Sequence, residues 1–208
     1  ENLGGLELAA NIPGTVGGAV RGNAGAYGKG VGDYVEQVEV IVLGEKEVSL
    51  KVLTKDDCEF DYRESLFKKN ENWIISEVVL VLESKSQEDI QKEQESIDAD
   101  WKKRCGSQPY DTPSAGCTFK NIIYTDELLK YKDWETHGKV PAGRFIEEAD
   151  LKGKKIGGAM VSEKHSNFIV NFDNATADDV VQLISFVKTR VRDEFGVQLQ
   201  EEVQYIGF

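Results

Sequence analysis

A tyrosine and an arginine stand side by side in the segment Asp-Tyr-Arg-Glu-Ser, as Tyr62 and Arg63. A guanidinium placed just before a predicted strand can bind a carboxylate through two parallel hydrogen bonds. An ion pair with the next residue, Glu64, would explain the same pattern, and surface pairs of this kind are common. From the residues alone, Arg63 is a candidate ligand for a carboxylate, with the surface pair as the more frequent outcome.

Cys117 lies in a loop of small residues, Pro-Ser-Ala-Gly-Cys-Thr, which would let a thiol approach a ligand closely. No histidine lies nearby in the sequence to form the pair that activates a protease thiol. A free cysteine is more commonly a small, buried hydrophobic residue, so both interpretations stay open. The three cysteines, Cys58, Cys105 and Cys117, form no CxxC pair, so we expect neither a disulfide framework nor a metal site.

Two further polar residues are candidates for a site. His165 follows Lys164, and together they could bind a phosphate, although exposed surface residues are the default expectation. Glu202 alternates with Val203 and Tyr205 in a predicted final strand, and on that pattern it would face solvent. In a closed site, its carboxylate could instead act as an acid.

Glycine is dense between residues 12 and 30. The segment contains neither the phosphate-binding Walker A pattern nor the Gly-x-Gly-x-x-Gly pattern of dinucleotide-binding folds. Tight turns between strands would account for the glycines. A backbone surface that approaches a flat or phosphorylated ligand would account for them equally well.

Hydrophobic periodicity predicts the elements that must position these residues. Helix starts are indicated by Ser86 with Asp89 and by Thr176 with Asp179, and Gly196 indicates a helix end. We predict an α+β fold with two domains, residues 1–105 and 106–208. The predicted strands cover 35–43, 49–53, 73–82, 167–172 and 197–205, and the predicted helices cover 87–104, 141–149 and 177–195.

Composition narrows the function classes. The chain has 208 residues, of which 25 are Lys or Arg and 37 are Asp or Glu, so 25 − 37 gives a net charge of −12. This acidic balance argues against a nucleic-acid partner and against an anionic membrane surface. No apolar stretch is long enough for a membrane span. No basic segment followed by an apolar one indicates a signal peptide. Together with the odd number of thiols, this predicts a cytoplasmic protein.

Several stretches, taken in order, resemble one family. They are GLELAANIPGTVGGAVRGNAGAYG (5–28), DYRESLFK (61–68), QPYDTPSAGCTFKN (108–121), AGRFIEEADLKGKKIGGAMVSEKHSNFIVN (142–171) and FGVQLQEEVQYIG (195–207). The sequence is similar to the UDP-N-acetylenolpyruvoylglucosamine reductase (MurB) family, and most similar to its type II branch. The resemblance implies an FAD enzyme of peptidoglycan synthesis. In this family NADPH reduces the flavin, which then reduces UDP-N-acetylglucosamine enolpyruvate to UDP-N-acetylmuramate.

The resemblance also implies roles for individual residues. Arg63 matches the arginine that clamps the substrate carboxylate and stabilises the enolate. Glu202 matches a glutamate that assists at this carboxylate, and Cys117 occupies the position of the proton donor, where most members have serine. Arg104, Asn121, Tyr27 and His165 match substrate-binding positions. The residues that would present backbone to the flavin are Ile12, Pro13, Gly14, Thr15, Gly17 and Gly18.

The sequence departs from the family pattern at several places. Gln204 stands in place of a usual arginine, Asp150 in place of a common glycine, and the segment Ile122–Val140 is longer than in short members. Nothing in the sequence resembles the preceding FAD subdomain of the family. We therefore expect residues 1–105 to be the second FAD subdomain and residues 106–208 to be the substrate domain, with the last strand returning to the flavin side. The chain alone should bind FAD weakly or not at all, and the alternative function is a non-catalytic fragment that binds a UDP-sugar or flavin.

Overall fold

The computed structural model describes residues 2–10, 12–26 and 28–207. The chain divides into two compact units, and the boundary between Trp101 and Lys102 lies inside one long helix. We call the residues up to Trp101 unit 1 and those from Lys102 unit 2. No helix among the described residues is long and apolar enough to cross a membrane.

Unit 1 combines short helices with antiparallel strands. Among the described residues of this unit, short 3-10 helices over Glu7–Ala9, Val31–Tyr34 and Asp56–Cys58 join the other elements. The final helix of the unit has no buried residue, as its sparse apolar residues predict, and it continues into unit 2. The strands and helices are β1 (Leu3–Gly4), α1 (Val16–Arg21), β2 (Gly25–Ala26), β3 (Lys29–Gly30), β4 (Val35–Leu43), β5 (Val48–Thr54), α2 (Leu66–Lys69), β6 (Trp73–Leu80), β7 (Glu83–Ser84) and α3 (Gln87–Ser107).

A three-stranded antiparallel sheet in the order β5-β4-β6 carries the core of unit 1. One face of β4 buries Val38 and Val40 completely, and Val20 and Phe67 pack into the same cluster. The alternation of valines thus produces a half-buried strand, as predicted. The glycine-rich segment differs from the prediction, because residues 16–21 form a helix within what was expected to be connecting turns.

Unit 2 contains a second antiparallel sheet with two helices. One 3-10 stretch, Asp126–Trp134, adds Leu128 and Tyr131 to its core. The elements of unit 2 after α3 are β8 (Ser114–Cys117), β9 (Ile122–Ile123), β10 (Lys139–Val140), α4 (Ala142–Glu148), β11 (Lys155–Ile156), β12 (Ala159–Val161), β13 (Phe168–Asn171) and α5 (Ala177–Phe195). The four-stranded sheet has the order β11-β12-β13-β8, and the strands β9 and β10 pair with each other outside it.

Helix α5 supplies much of the core of unit 2. Its apolar stripe is buried at Leu183, Ile184, Val187 and Val191, as the spacing predicts. The predicted capping box and the glycine end are both present. The amide of Asp179 donates to Thr176 Oγ1 at 3.1 Å, and the amide of Thr176 donates to Asp179 Oδ2 at 2.9 Å. Gly196 follows the helix in the left-handed conformation, with φ of 72°. The mixture of helices and antiparallel sheets in both units confirms the predicted α+β class.

The predicted final strand over 197–205 is wrong. Among the described residues after Gly196, the ladder is reduced to one isolated bridge between Phe119 and Glu201. Val197 and Leu199 are buried as an irregular segment laid over the core, which explains the apolar alternation without a strand. Tyr205, which the pattern placed on the same face, is exposed.

Candidate functional site

Arg63 lies in a tight turn of unit 1. The amides and carbonyls of Asp61 and Glu64 bond each other at 3.1 Å in both directions, so Tyr62 and Arg63 form the tip. Arg63 has a left-handed backbone with φ of 55°, a conformation that costs energy for a non-glycine residue. Its Nη2 donates to the carbonyl of Gly25 at 2.9 Å, and its guanidinium lies 5.4 Å from the centre of the Tyr62 ring.

The turn is fixed to the glycine-rich segment by polar contacts. Asn23 Nδ2 donates to the carbonyl of Asp61 at 2.9 Å, and Asn23 Oδ1 accepts from the amide of Gly32 at 2.9 Å. Ser65, which is fully buried, donates from Oγ to the carbonyl of Arg21 at 2.6 Å. The expectation that the arginine precedes a strand is wrong, because α2 follows the turn. The geometry holds the guanidinium next to the glycine-rich backbone.

The glycine-rich segment presents an exposed backbone ahead of α1. Thr15 begins this helix, and its Oγ1 accepts from the amide of Gly18 at 3.1 Å. Gly14 has φ of 148°, and a Cβ built on it would meet no atom within 4 Å, so its conformation and not its surroundings requires glycine. A Cβ on Gly17 would lie 3.7 Å from Ile75. Of the predicted flavin-contacting residues, Gly17 is half-buried, and the exposed ones are Ile12, Pro13, Gly14, Thr15 and Gly18.

Cys117 ends strand β8 of unit 2 next to a bulge. Cys117 lies opposite Phe168 and Ser114 opposite Val170, so β8 has one residue more than β13 between the two pairs. Gly116 takes up the irregularity with φ of 85° and open space at its Cβ position. Bulges re-aim the neighbouring side chain. The Cys117 side chain is half-buried, which the alternative of a fully buried small residue does not describe.

The segment that follows Cys117 is joined to the segment that contains Glu202. The amide of Glu202 donates to the carbonyl of Thr118 at 2.8 Å, and the amide of Lys120 donates to the carbonyl of Gln200 at 2.9 Å. Glu202 is half-buried. Its place in the predicted strand had indicated a residue that faces solvent. The neighbouring Glu201 carboxylate pairs with Lys188 Nζ at 2.7 Å. The fold therefore joins the residue that follows Cys117 to Glu202 through the backbone of unit 2.

His165 lies in the turn between β12 and β13 and is half-buried, so the default expectation of an exposed residue is wrong for it. Its ring meets the Phe168 ring edge-on with 4.9 Å between centroids, and its Nδ1 accepts from the amide of Asn167 at 3.3 Å. Burial lowers the pKa of His165 below its ordinary value, and the charge of Lys152 adds to the effect. Lys164 is exposed and pairs with Asp111, with 2.7 Å between Nζ and Oδ2.

The remaining predicted substrate residues are placed by the ends of helices. Asn121 Oδ1 accepts from the amide of Ala142 at 3.2 Å, where α4 begins. Arg104 is half-buried near the end of α3, and its carbonyl accepts from the amide of Gln108 at 2.8 Å. Tyr27 lies outside the described residues. The described residues contain no cluster of three or more His, Cys, Asp or Glu side chains suited to a metal.

Comparison with known proteins addresses both units. Residues 108–206 match the family described as UDP-N-acetylenolpyruvoylglucosamine reductase, C-terminal domain. A UDP-N-acetylenolpyruvoylglucosamine reductase of Thermotoga maritima is 43% identical over 202 residues, which are 97% of this chain and 63% of the relative. A protein of Bacillus cereus named UDP-N-acetylenolpyruvoylglucosamine reductase 2 is 42% identical, over 99% of this chain and 60% of the relative.

A solved structure shows the same fold. The UDP-N-acetylenolpyruvylglucosamine reductase (MurB) of Thermus caldophilus has a TM-score of 0.73 and 35% identity, over 98% of this chain and 64% of that one. Fold and sequence thus place the chain among relatives of α+β oxidoreductases. More narrowly, residues 108–206 match the C-terminal domain of the UDP-N-acetylenolpyruvoylglucosamine reductase family, which confirms the resemblance seen in the sequence. The chain spans less than two thirds of the length of these relatives.

Sequence reasoning missed Asn167. This residue is buried, and it makes hydrogen bonds to the segment after Cys117 through its carboxamide and through its own backbone. The available signal was an asparagine at the start of the apolar run Asn-Phe-Ile-Val. A polar residue that starts a buried strand requires hydrogen-bond partners.

Proposed function

We propose that this chain is part of an FAD-dependent, NADPH-driven reductase that converts UDP-N-acetylglucosamine enolpyruvate to UDP-N-acetylmuramate in peptidoglycan synthesis. The reaction would take place in the cytoplasm, with a small UDP-sugar as the ligand and with neither nucleic acid nor membrane as a partner. The odd number of thiols in the sequence supports this compartment.

One observation carries the proposal: the backbone hydrogen bond from the amide of Glu202 to the carbonyl of Thr118. It supports the proposal because it links the backbone next to the candidate proton donor, Cys117, to the candidate carboxylate, Glu202, in the part of the chain that matches the reductase C-terminal domain. The Gly116 bulge next to Cys117 is a local irregularity of the kind that aims a side chain at a ligand.

The substrate's enolpyruvyl group requires a proton donor and a carboxylate ligand. In the proposed reaction, the Cys117 thiol gives its proton to the α-carbon of the substrate. A thiol with an ordinary pKa near 8.5 is a much stronger acid than the hydroxyl of serine. Glu202 would assist at the substrate carboxylate. Arg63, in unit 1, would bind this carboxylate and stabilise the negative charge of the enolate.

The exposed backbone from Ile12 to Gly18 fits a flat ligand, because Gly14 leaves open space where a side chain would stand. These residues would hold part of the FAD. When bound, the flavin would accept a hydride from NADPH and supply it to the β-carbon of the substrate. Arg104, Asn121, Tyr27 and His165 are proposed to bind the UDP-sugar.

A titration with FAD, followed by flavin fluorescence, tests the proposal. We expect weak binding by this chain alone, and stronger binding when the preceding subdomain implied by the resemblance is supplied from the Thermotoga maritima relative. NADPH should then bleach the flavin, and UDP-N-acetylglucosamine enolpyruvate should restore its colour. Saturable flavin binding with no recovery by the substrate would favour a fragment that binds ligands without catalysis.

Cys117→Ala separates the two half-reactions. Bleaching by NADPH should be retained and recovery by the substrate should be lost, since only the second step needs the proton donor. Cys105→Ala is the matched control, because Cys105 is an exposed thiol in α3. If both half-reactions survived in Cys117→Ala, the role of Cys117 would be refuted.

A further inference from the structure

We propose that Asn167 is a positioning residue for Cys117, a role that rests on the proposed function of this thiol as the proton donor. Asn167 is 3% exposed and lies in the turn that leads into β13. Three of its polar groups bond the two residues that follow Cys117. They act as one clasp on the backbone that carries the thiol.

The carboxamide of Asn167 bonds both backbone groups of Phe119, as the peptide groups of a neighbouring strand would. The amide of Phe119 donates to Asn167 Oδ1 at 3.0 Å, and Asn167 Nδ2 donates to the carbonyl of Phe119 at 2.8 Å. The backbone carbonyl of Asn167 accepts from the amide of Thr118 at 2.7 Å. The pairing of β8 with β13 is therefore extended past Cys117 by a side chain.

The register explains why a side chain is needed here. On its other side, the strand segment after Cys117 is bonded through Thr118 and Lys120, which flank the bridge of Phe119 to Glu201. In an antiparallel ladder, the flanking groups point to one neighbour and the groups of the middle residue point to the other. The amide and carbonyl of Phe119 thus point towards Asn167. Without the carboxamide, these groups would be buried and unsatisfied, which is costly.

The same residue connects the segment to His165. The amide of Asn167 donates to His165 Nδ1 at 3.3 Å, so the backbone of Asn167 orients the imidazole while its side chain orients Phe119. An asparagine is suited to this position because it supplies one acceptor and one donor side by side. Aspartate offers acceptors only, and it would face the carbonyl of Phe119 with a second oxygen.

The test uses the full 208-residue chain without any ligand. In Asn167→Ala, we expect hydrogen exchange at the Phe119 amide to accelerate by about tenfold, the factor that one lost hydrogen bond corresponds to. The rate of Cys117 alkylation by iodoacetamide is measured from pH 6 to pH 10 in the variant and in the parent chain. We expect the midpoint of this pH profile to differ between the two. The exposed Cys105 should keep its profile, and the buried Cys58, whose thiol pKa burial raises to about 11, should stay unreactive.

Ser166→Ala is the matched control. Ser166 is also buried in this turn, and its Oγ donates to the carbonyl of Gly143 at 2.6 Å, away from the Cys117 segment. This variant should lose similar stability and leave the Cys117 profile unchanged. If Asn167→Ala does not fold by circular dichroism, Asn167→Asp is measured by the same criteria.

An unchanged Cys117 profile in the folded Asn167 variant would overturn the proposal, and so would an equal shift in Ser166→Ala. Because the readouts are thiol reactivity and amide exchange, these results do not depend on whether the chain is a reductase. A shifted Cys117 profile would support the positioning role even if the chain, supplied with the preceding subdomain, showed no reductase activity. That second result would refute only the proposed function.

Discussion

Arg63 combines a strained backbone with a guanidinium held at the glycine-rich segment. A left-handed conformation costs a non-glycine residue about 1–2 kcal/mol, whereas glycine loses about 0.5–1 kcal/mol in chain entropy. We therefore predict that Arg63→Gly has a free energy of unfolding about 1 kcal/mol higher than Arg63→Ala. Both variants lose the bond to Gly25, so urea unfolding of the two isolates the strain.

The neighbouring residue supplies the control for this comparison. Glu64 is absent from the described residues with positive φ, so Glu64→Gly should be less stable than Glu64→Ala. Should Arg63→Gly also be less stable than Arg63→Ala, the left-handed turn would not be a source of strain. A residue kept in a strained conformation at a proposed binding position fits a functional requirement on the guanidinium.

His165 makes stability depend on pH. Burial, reinforced by Lys152, lowers its pKa in the folded state below the ordinary value of 6.5, while Glu147 acts in the opposite direction. The unfolded chain then binds more protons than the folded chain in the interval between the two pKa values. The contribution is fully present above pH 6.5 and is lost as the pH falls towards the folded-state pKa.

We predict that His165→Asn removes part of the loss of stability between neutral pH and pH 5. Asparagine can keep an acceptor near the position of Nδ1 but does not titrate in this range. The measurement is the free energy of unfolding in urea at several pH values. His137→Asn is the control, because His137 is exposed and has φ of 52°, which asparagine tolerates. An unchanged slope in His165→Asn would contradict the prediction.

At the scale of elements, the end of α4 explains a departure from the family pattern. Asp150 follows the helix with φ of 54°, and the amide of Leu151 donates to the carbonyl of Ile146 at 3.2 Å. Leu151 is buried, as the apolar residue of such a helix end usually is. The position requires a left-handed residue, which fits the glycine that the resemblance leads us to expect there, and aspartate is one of the residues that tolerate this conformation.

We predict that Asp150→Gly raises the free energy of unfolding by about 0.5–1 kcal/mol. Ala149→Gly, one residue earlier with φ of −74°, should lower it, because glycine there adds entropy to the unfolded chain and the buried methyl group of Ala149 is lost. Thermal unfolding of the two variants beside the parent chain gives the comparison. A decrease in both variants would show that the aspartate side chain contributes more than its backbone costs.

Elements with a regular hydrophobic period could be predicted from the sequence. Hydrogen bonds between distant polar groups, such as those of Asn167, could not. The valines of β4 and the stripe and caps of α5 were predictable because periodicity and capping are local properties of a sequence. The segment 197–205 has the alternation of a strand but only an isolated bridge as a partner. Pairing is a property of the fold, so local pattern alone misassigns such a segment.

The candidate site shows the same division. Arg63, Cys117 and Glu202 were selected through the family resemblance, and residue type alone favoured ordinary surface or core roles for them. The bond between Glu202 and Thr118 joins residues 84 positions apart in the chain. The contribution of Asn167 depends on which groups of Phe119 remain unpaired in the ladder. No local sequence pattern encodes that.

At the scale of the whole molecule, each unit has a hydrophobic core of its own. The buried cluster with Phe67 contains residues of unit 1 only, and the cluster with Leu183 contains residues of unit 2 only. A side chain that packs in one cluster is therefore expected to stabilise that unit first. Native-state hydrogen exchange can resolve such regional stability.

We predict that Leu183→Ala, which empties a fully buried site, lowers the stability of unit 2 by about 2–5 kcal/mol. Amides of α5 and β13 should exchange faster, while those of β4 should keep their rates. Phe67→Ala should give the reciprocal result, with a loss of about 3–5 kcal/mol in unit 1. If both variants accelerated exchange equally in β4 and α5, the chain would unfold as one cooperative body. The two hydrophobic cores would then be packed separately without being separate folding units. Cooperative unfolding depends on the free energy that couples the two cores.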